Sequence, residues 1–478
     1  MTRRSFLQVA AAVPAWNWDR AGARFSLPDG SGEIRFLTPS TFFVIRRWND
    51  SSLGVTLPSG NVKFTAAETG PGAVELSTDY LRVHVDRATF RLRVTRANGE
   101  LLLEEASPAR RSPRGVSFHF NAAAGEEFLG LGPRNDAALS ARSSRLATTT
   151  PFLISTAGFG LFHRQPGEYE YDLTQGHRTL ALKADRAEYA FYYGPTPKDI
   201  CEEHNRVRPQ SSLRRTGTLL PPSATLEESV RRILHASLSG IMVPRFDADR
   251  FAETPLAARA RQLALLFPWG GDPRFEAFFE TYLDEARERG IPLIHPLPLQ
   301  FPRDPEGLRH TTQFLLGDEL LAAPILGEAP TRRVYLPMGR WTDLRTNTEH
   351  PGRRTIEIES PDRLPLFAKN GSIVPFGRLS EGPIELHYFP NLGAEFFLFE
   401  PSTGGISQVH AAPAGDYLRL EIESQVTRRY EWIIHHRGPA KKVEGGPVSH
   451  VRHDAARNNL HLEMEGRAGA DHIVNITL

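Results

Sequence analysis

The sequence predicts a mostly β, multidomain chain with one small α/β insert. Three observations lead there. Short runs of alternating apolar and polar residues, the period of a half-buried strand, recur along most of the 478 residues. The 39 glycines and 37 prolines supply turns between them. Helical periodicity concentrates in one stretch, Thr225 to Pro302.

The N-terminus reads Thr2-Arg3-Arg4-Ser5-Phe6-Leu7 and continues as Val9-Ala10-Ala11-Ala12-Val13. Twin arginine, an aromatic-Leu pair and a short apolar run make a twin-arginine export signal, and so predict a periplasmic or extracellular protein. Ala21-Gly22-Ala23 and Val13-Pro14-Ala15 are the small-residue cleavage candidates. Residues 1–23 are assigned to this leader. Its apolar run is too short to span a bilayer, and no other segment reads as a membrane span.

From 24 to 205 the chain reads as a β-sandwich. Leu81, Val83 and Val85 alternate with Arg82, His84 and Asp86. Phe90, Leu92 and Val94 follow, and Asn98-Gly99 makes a tight turn before Leu101. Further strands read at Val116–Phe120, Pro151–Ser155, Gly160–His163 and Glu188–Tyr193. Pro197 opens a short helix. The polar, proline-bearing stretch 206–224 reads as a linker.

The α/β insert covers 225–312. Thr225 and Glu228 have capping-box spacing, and Leu226, Val230 and Ile233 follow at helical spacing. The run Gly240–Pro244 has strand length. A loop, Arg245 to Phe251, leads to a helix opened by Pro255. A third helix has Asp272 as N-cap, Pro273 at N1, a stripe from Phe275 to Ala286, and Gly290 as its stop. The run Ile291–Leu297 is a second strand. Two strands, each preceded by a helix, predict βα units of a parallel sheet, whose ligand sites lie at the carboxyl ends of the strands. Strands then return, as a proximal β-sandwich at 313–385 and a distal β domain at 386–478.

Net charge is +1, which gives no argument for a nucleic-acid partner. Only six of the 57 basic residues are lysine, as a genomic base-composition bias would give. One cysteine, Cys201, excludes an intrachain disulfide and a cysteine metal cluster. No G-x-S-x-G is present, and no cofactor or metal is predicted. Asp247, Asp249 and Glu253 lack the fuller loop pattern of a calcium site.

Several segments, in order, resemble glycoside hydrolase family 31, the α-glucosidase and α-xylosidase group. They are Phe128-Leu129-Gly130-Leu131-Gly132, Pro151–Ser155 with Gly158–Phe162, and Tyr192–Lys198. Leu238-Ser239-Gly240 with Phe246-Asp247 and Arg250-Phe251 resembles the family's L-S-G-x-P-x-W-x-x-D-I-G-G-F. Gly290 to Leu297 resembles G-I-P-V-x-R-P-L. Gln313–Asp318, Ala323-Pro324, Val334–Trp341, Leu364–Phe367 and Gly371–Pro375 resemble the entry into its C-terminal sandwich. The resemblance implies a galactose-mutarotase-like N-terminal sandwich, a (β/α)8 barrel and C-terminal β-sandwiches.

The barrel does not fit the space. A full barrel takes about 250 residues, whereas Pro195 and Gln313 bracket a far shorter stretch. The two visible strands correspond to the family's last two. The nucleophile and acid/base Asp motifs that the resemblance implies, D-x-N-E-like and G-D-N-like, are absent from their expected places. Retaining hydrolysis needs two carboxyl groups about 5–5.5 Å apart, so no catalytic residue is assigned. The remaining carbohydrate-binding candidates are Arg245, Phe246, Asp247, Asp249, Trp269 and His295. Asp247 matches the Asp of D-I-G-G-F, Asp249 and Arg250 replace its glycines, Trp269 offers a stacking face, and His295 replaces the Arg of R-P-L.

The expectation is a family 31 homologue that has lost hydrolysis and serves as an exported carbohydrate- or partner-binding protein. The ligand would be an α-glycan or oligosaccharide, with a protein partner or homo-oligomer left open. The alternative is an active α-glucosidase or α-xylosidase with relocated carboxylates or a site completed by another chain. The helices of the insert, too few to close a barrel, are expected to pack as a small layer against the sandwiches.

Overall fold

The structure, a computed structural model, describes residues 15–49, 58–113, 115–165, 167–174, 177–182, 187–208, 217–268, 271–360 and 362–478. The twin-arginine motif and Trp269 lie outside these residues. The chain divides into two compact units, 1–132 with 140–209, and 133–139 with 210–478.

The first unit is a sandwich of two antiparallel sheets. One has eight strands, ordered Trp16–Asp19, Gly22–Leu27, Gly30–Thr38, Thr41–Trp48, Ala187–Tyr193, Phe159–Phe162, Phe152–Ser155 and Phe128–Gly130. The other has nine and runs from Arg145–Thr148 at one edge to Thr65–Gly70 at the other. Alternation decides the packing: Leu81, Val83 and Val85 are buried while Arg82 and His84 are not. With Leu92, Val94, Phe118 and Phe120 they meet Phe25, Phe36, Phe42 and Phe191 of the opposite sheet in one core.

The sheet begins earlier than the leader assigned to 1–23 allows. Trp16–Asp19 pairs with Gly22–Leu27, and Trp16 stacks on Phe25 at 6.0 Å. Cleavage within Ala21-Gly22-Ala23 would cut this hairpin at its turn.

Helix α1, Pro197–Val207, belongs to this unit. Thr196 and Asp199 form its capping box, a signal the sequence carries at the Pro-rich break. Cys201 is fully buried on it, and burial pushes the thiol up to about 12, so it is no nucleophile at neutral pH. His204 stacks on Phe152 at 3.9 Å, and burial takes it down to about 3.

The second unit opens with a βαβ element. Strand β1, Thr218–Leu219, leads through helix α2, Leu226–Ser237, to strand β2, Pro244–Arg245, which pairs with β1 in parallel. The segment 206–224 is therefore not wholly a linker: it holds a strand. Thr225 caps α2 by accepting the Glu228 N–H at 3.1 Å, and Leu226, Val230, Ile233 and Leu234 form its buried stripe. Helices α3, Ala257–Ala264, and α4, Glu276–Arg289, follow. Asp272 caps the 3-10 turn entering α4 by accepting the Arg274 N–H at 3.0 Å, and Gly290, at φ 73°, ends the helix in the left-handed region.

The second expected strand is β3, Ile294–Pro296. It does not extend a parallel sheet with β2. One bond, Leu293 N–H to Met242 O at 3.0 Å, joins the two runs. Pro244, Pro292 and Pro296 lack the N–H groups a longer ladder needs. β3 instead becomes the edge of a six-stranded antiparallel sheet through Phe314–Leu316, Leu320–Ala322, Leu366–Lys369, Arg340–Asp343 and Thr348–Pro351. Trp341, Val334, Leu336 and Phe367 form the core beneath it.

A two-stranded sheet, Thr331–Leu336 with Arg354–Glu359, and two five-stranded sheets complete the unit. Ser372–Arg378 and Glu381–Phe389 already belong to the first five-stranded sheet, so the boundary drawn between 385 and 386 falls inside a strand. Leu386, Tyr430 and Trp432 from one sheet, and Leu398, Val409 and Leu420 from the other, are at most 1% exposed. Helix α4 packs on these sheets. Phe275 meets Phe376 at 5.1 Å, Phe278 meets Phe396 at 6.3 Å, and Thr281 Oγ1 accepts the Phe399 N–H at 3.0 Å. Helix α3 is tied to the proximal sheets: Arg259 and Gln262 donate to the carbonyls of Ser360 and Asp362 at 3.2 and 2.9 Å. The helices of the insert thus lie on the C-terminal β layers.

Candidate functional site

Parallel strands place their carboxyl ends together, and β1 and β2 do so with Leu219 opposite Arg245. The chain leaves β1 through Leu220-Pro221-Pro222-Ser223 and leaves β2 through Phe246 to Arg250. These two exits and the outer face of α2 enclose a small open pocket of about 120 Å³. Its lining includes Ser229, Arg232 and Ile233 of α2 with Arg245, Phe246, Asp247 and Arg250.

Each side chain has a local reason for its place. Phe246 is half-buried, backed by Phe251 at 6.2 Å and Phe267 at 5.9 Å. Asp247 is exposed and folds its carboxylate onto its own loop, where Oδ1 accepts the Asp249 N–H at 3.2 Å. That Asx turn starts the 3-10 turn Asp249–Phe251. Arg232 is fixed: Nε donates to Ser223 Oγ at 3.2 Å and Nη1 to Pro133 O at 3.1 Å. Glu228, one turn before Arg232, accepts the Ala224 N–H at 2.7 Å. That bond first, with the Arg232 charge as a smaller contribution, holds its carboxyl below the usual range.

Arg245 and Arg250 are exposed at the pocket, and neither side chain has a hydrogen bond or ion pair to a described residue. Among the described lining residues, Asp247 supplies the one carboxylate. No group of three or more His, Cys, Asp or Glu side chains among the described residues could hold a metal ion.

Of the six candidates, the structure brings Arg245, Phe246 and Asp247 together, with Asp249 in the adjoining turn. Trp269 lies outside the described residues. His295 goes elsewhere. It is fully buried on β3, with Nδ1 3.1 Å from Asp318 Oδ1 and the Tyr282 ring edge-on at 6.3 Å. Tyr282 donates to Glu319 Oε2 at 2.6 Å and accepts the Asp318 N–H at 3.0 Å. Burial, then the Asp318 charge, pushes the Glu319 carboxyl up to about 8. This cluster seals α4 onto the proximal sheet and does not line the pocket. Sequence reasoning missed Arg232, Arg250 and the wall at 219–223. The signal for the wall was the short run Thr218-Leu219-Leu220 ahead of a capped helix.

Comparison with known proteins bears on this arrangement. Residues 290–374 match the glycosyl hydrolase family 31 C-terminal domain. Alpha-glucosidase 2 of Bacillus thermoamyloliquefaciens is 31% identical over 179 residues, 33% of this chain and 22% of that protein. Human neutral alpha-glucosidase AB is 36% identical over 102 residues, 20% of this chain and 11% of that protein. The chain thus spans a minor part of the length of these curated relatives. A family 31 dextranase of Flavobacterium johnsoniae, solved with isomaltotriose, superposes with a TM-score of 0.81 at 14% identity, covering 97% of this chain and 99% of that one. The cycloalternan-forming enzyme of Listeria monocytogenes, solved with a pentasaccharide substrate, gives 0.78 at 12% identity, covering 97% and 77%. A mostly β fold is thus shared with these structures along nearly the whole chain. In sequence the chain is similar to glycoside hydrolase family 31, and the family's C-terminal domain is matched over residues 290–374.

Proposed function

We propose that this protein is a family 31 homologue that binds saccharides and does not hydrolyse them. The observation that carries the reading is the single carboxylate of the pocket. Double-displacement hydrolysis needs a nucleophile and a proton donor about 5–5.5 Å apart. Asp247 stands alone among the described lining residues, with its carboxylate bonded to its own loop. What remains suits recognition: an aromatic face for pyranose C–H groups and guanidinium forks for hydroxyl or acidic oxygens. An open pocket of about 120 Å³ suits part of one terminal ring, the remainder standing in solvent.

The bound sugars of the dextranase and of the cycloalternan-forming enzyme support a glycan as ligand class. The twin-arginine motif supports export. Among the described residues, no helix is long and apolar enough to cross a membrane.

The test is release of nitrophenol from aryl α-glucoside and α-xyloside by the purified protein, beside Asp247→Asn. The reading expects no turnover from either and saturable binding of a saccharide by both. Turnover lost with Asp247→Asn would establish a rebuilt active site and overturn it. Loss of secretion in an Arg3→Lys, Arg4→Lys variant is the outcome that export by the twin-arginine route requires.

A further inference from the structure

The pocket gathers more cationic than anionic side chains. Three guanidiniums, Arg232, Arg245 and Arg250, face one carboxylate, Asp247, in a chain whose net charge is only +1. The cations therefore reflect a local arrangement and no global basic field. Several arginines elsewhere in this insert pair with nearby carboxylates. Arg274 chelates Asp272, Arg289 pairs with Glu285 at 2.6 Å, and Arg231 pairs with Glu227. Arg245 and Arg250 make no such pair with a described residue, and the neighbouring Asp247 is turned onto Asp249 N–H instead of either. Arg232 is held in place by bonds to neutral oxygens, with Glu228, one turn before it on the helix, offsetting part of its charge.

We infer that the pocket selects a sugar bearing an anionic group, such as a uronate carboxylate or a phosphate ester. This rests on the saccharide-binding reading and names the ligand class of that same site. The planar forks suit paired acidic oxygens, and Phe246 offers its face to the ring. A neutral hexose would satisfy the ring contact and leave the guanidiniums to water.

The experiment titrates the intact protein with glucose, glucuronate, glucose 6-phosphate and inorganic phosphate at 20 mM salt. Its companion is the Arg245→Gln, Arg250→Gln variant, checked for an unchanged melting midpoint. Both positions are exposed, so the fold should survive. The expected result is at least tenfold tighter binding of an acidic sugar than of glucose, weakening several-fold at 300 mM salt. The double variant should lose that preference, binding the acidic sugar no more tightly than glucose. A preference for glucuronate over glucose 6-phosphate assigns the site to uronates, and the reverse to sugar phosphates; both support the proposal. Equal affinity for glucose and the acidic sugars overturns it and leaves saccharide binding standing. Inorganic phosphate binding as tightly as glucose 6-phosphate also overturns it, since the ring would then contribute nothing. No binding of any sugar overturns both readings.

Discussion

The N-terminal sandwich and the βαβ insert reach order by opposite means. In the sandwich, strands such as Leu81–Asp86 and Leu101–Ser112 pair over many residues and bury alternate side chains in a shared core. In the insert, β1 and β2 are two residues long and β3 is three. So few ladder bonds cannot hold a sheet. The insert is instead held by helix faces laid on the C-terminal sheets. Helices too few to surround a barrel stay ordered here by covering neighbouring sheets. The short strands leave their carboxyl ends lining an open pocket.

Phe42 is fully buried and stacks on Phe191 at 4.9 Å, so Phe42→Ala should cost about 3–5 kcal/mol, seen as a fall in the unfolding midpoint of the first unit. Phe278→Ala on α4 removes a fully buried ring that touches Tyr282 and Phe396. Its cost should be of the same order. Its signature should differ: amide exchange should rise over 276–289 before the sheets open. Uniform loss of protection in both units would contradict the separation drawn here.

A smaller effect sharpens the seam between α4 and the proximal sheet. Gly317 has φ 53°, and a Cβ there would lie 2.1 Å from the Tyr282 ring. Gly317→Ala should destabilise by about 1–3 kcal/mol through displaced packing, measured by denaturant unfolding.

The pH dependence tests the same seam. Burial raises Glu319 to about 8, above its ordinary range, so the folded state holds that proton more tightly than the unfolded chain. Its contribution is fully present below about pH 4.5 and is lost as pH rises through 8. The slope is at most about 1.4 kcal/mol per pH unit for one group. Glu319→Gln should flatten this alkaline loss. On the acid side, burial lowers His204 and His235 to about 3. Their contribution is present above the ordinary imidazole range and is lost as pH falls below about 6.5 toward 3. An unfolding free energy flat across both windows would contradict these burials. The smallest expected change is Arg250→Gln, exposed and unpaired to any described residue, within about 0.5 kcal/mol of the parent.

Much of the sandwich was legible because alternation is a local signal. Leu81, Val83 and Val85 are buried as their spacing predicts, and Asn98-Gly99 turns the chain with Gly99 at φ 91°. The helix around 276–289 was legible from Asp272, Pro273 and Gly290. The strand at 218–219 was not, because two residues carry no period and the prolines after it read as a linker. The path of β3 was hidden too, since nothing local says which neighbour a three-residue strand will choose. The site was half legible. Rules for strand ends found Arg245, Phe246 and Asp247, but Arg232 projects from a helix whose sequence reads only as amphipathic.

Saccharide binding without hydrolysis, as proposed, requires that a pocket with one carboxylate among its described lining residues hold a sugar and leave it intact. The most direct measurement is titration calorimetry with isomaltotriose and with glucuronate, followed by chromatography of the isomaltotriose after overnight incubation. The account predicts a saturable signal from at least one ligand and isomaltotriose recovered whole. Release of glucose or isomaltose, or no binding signal from either, would contradict it.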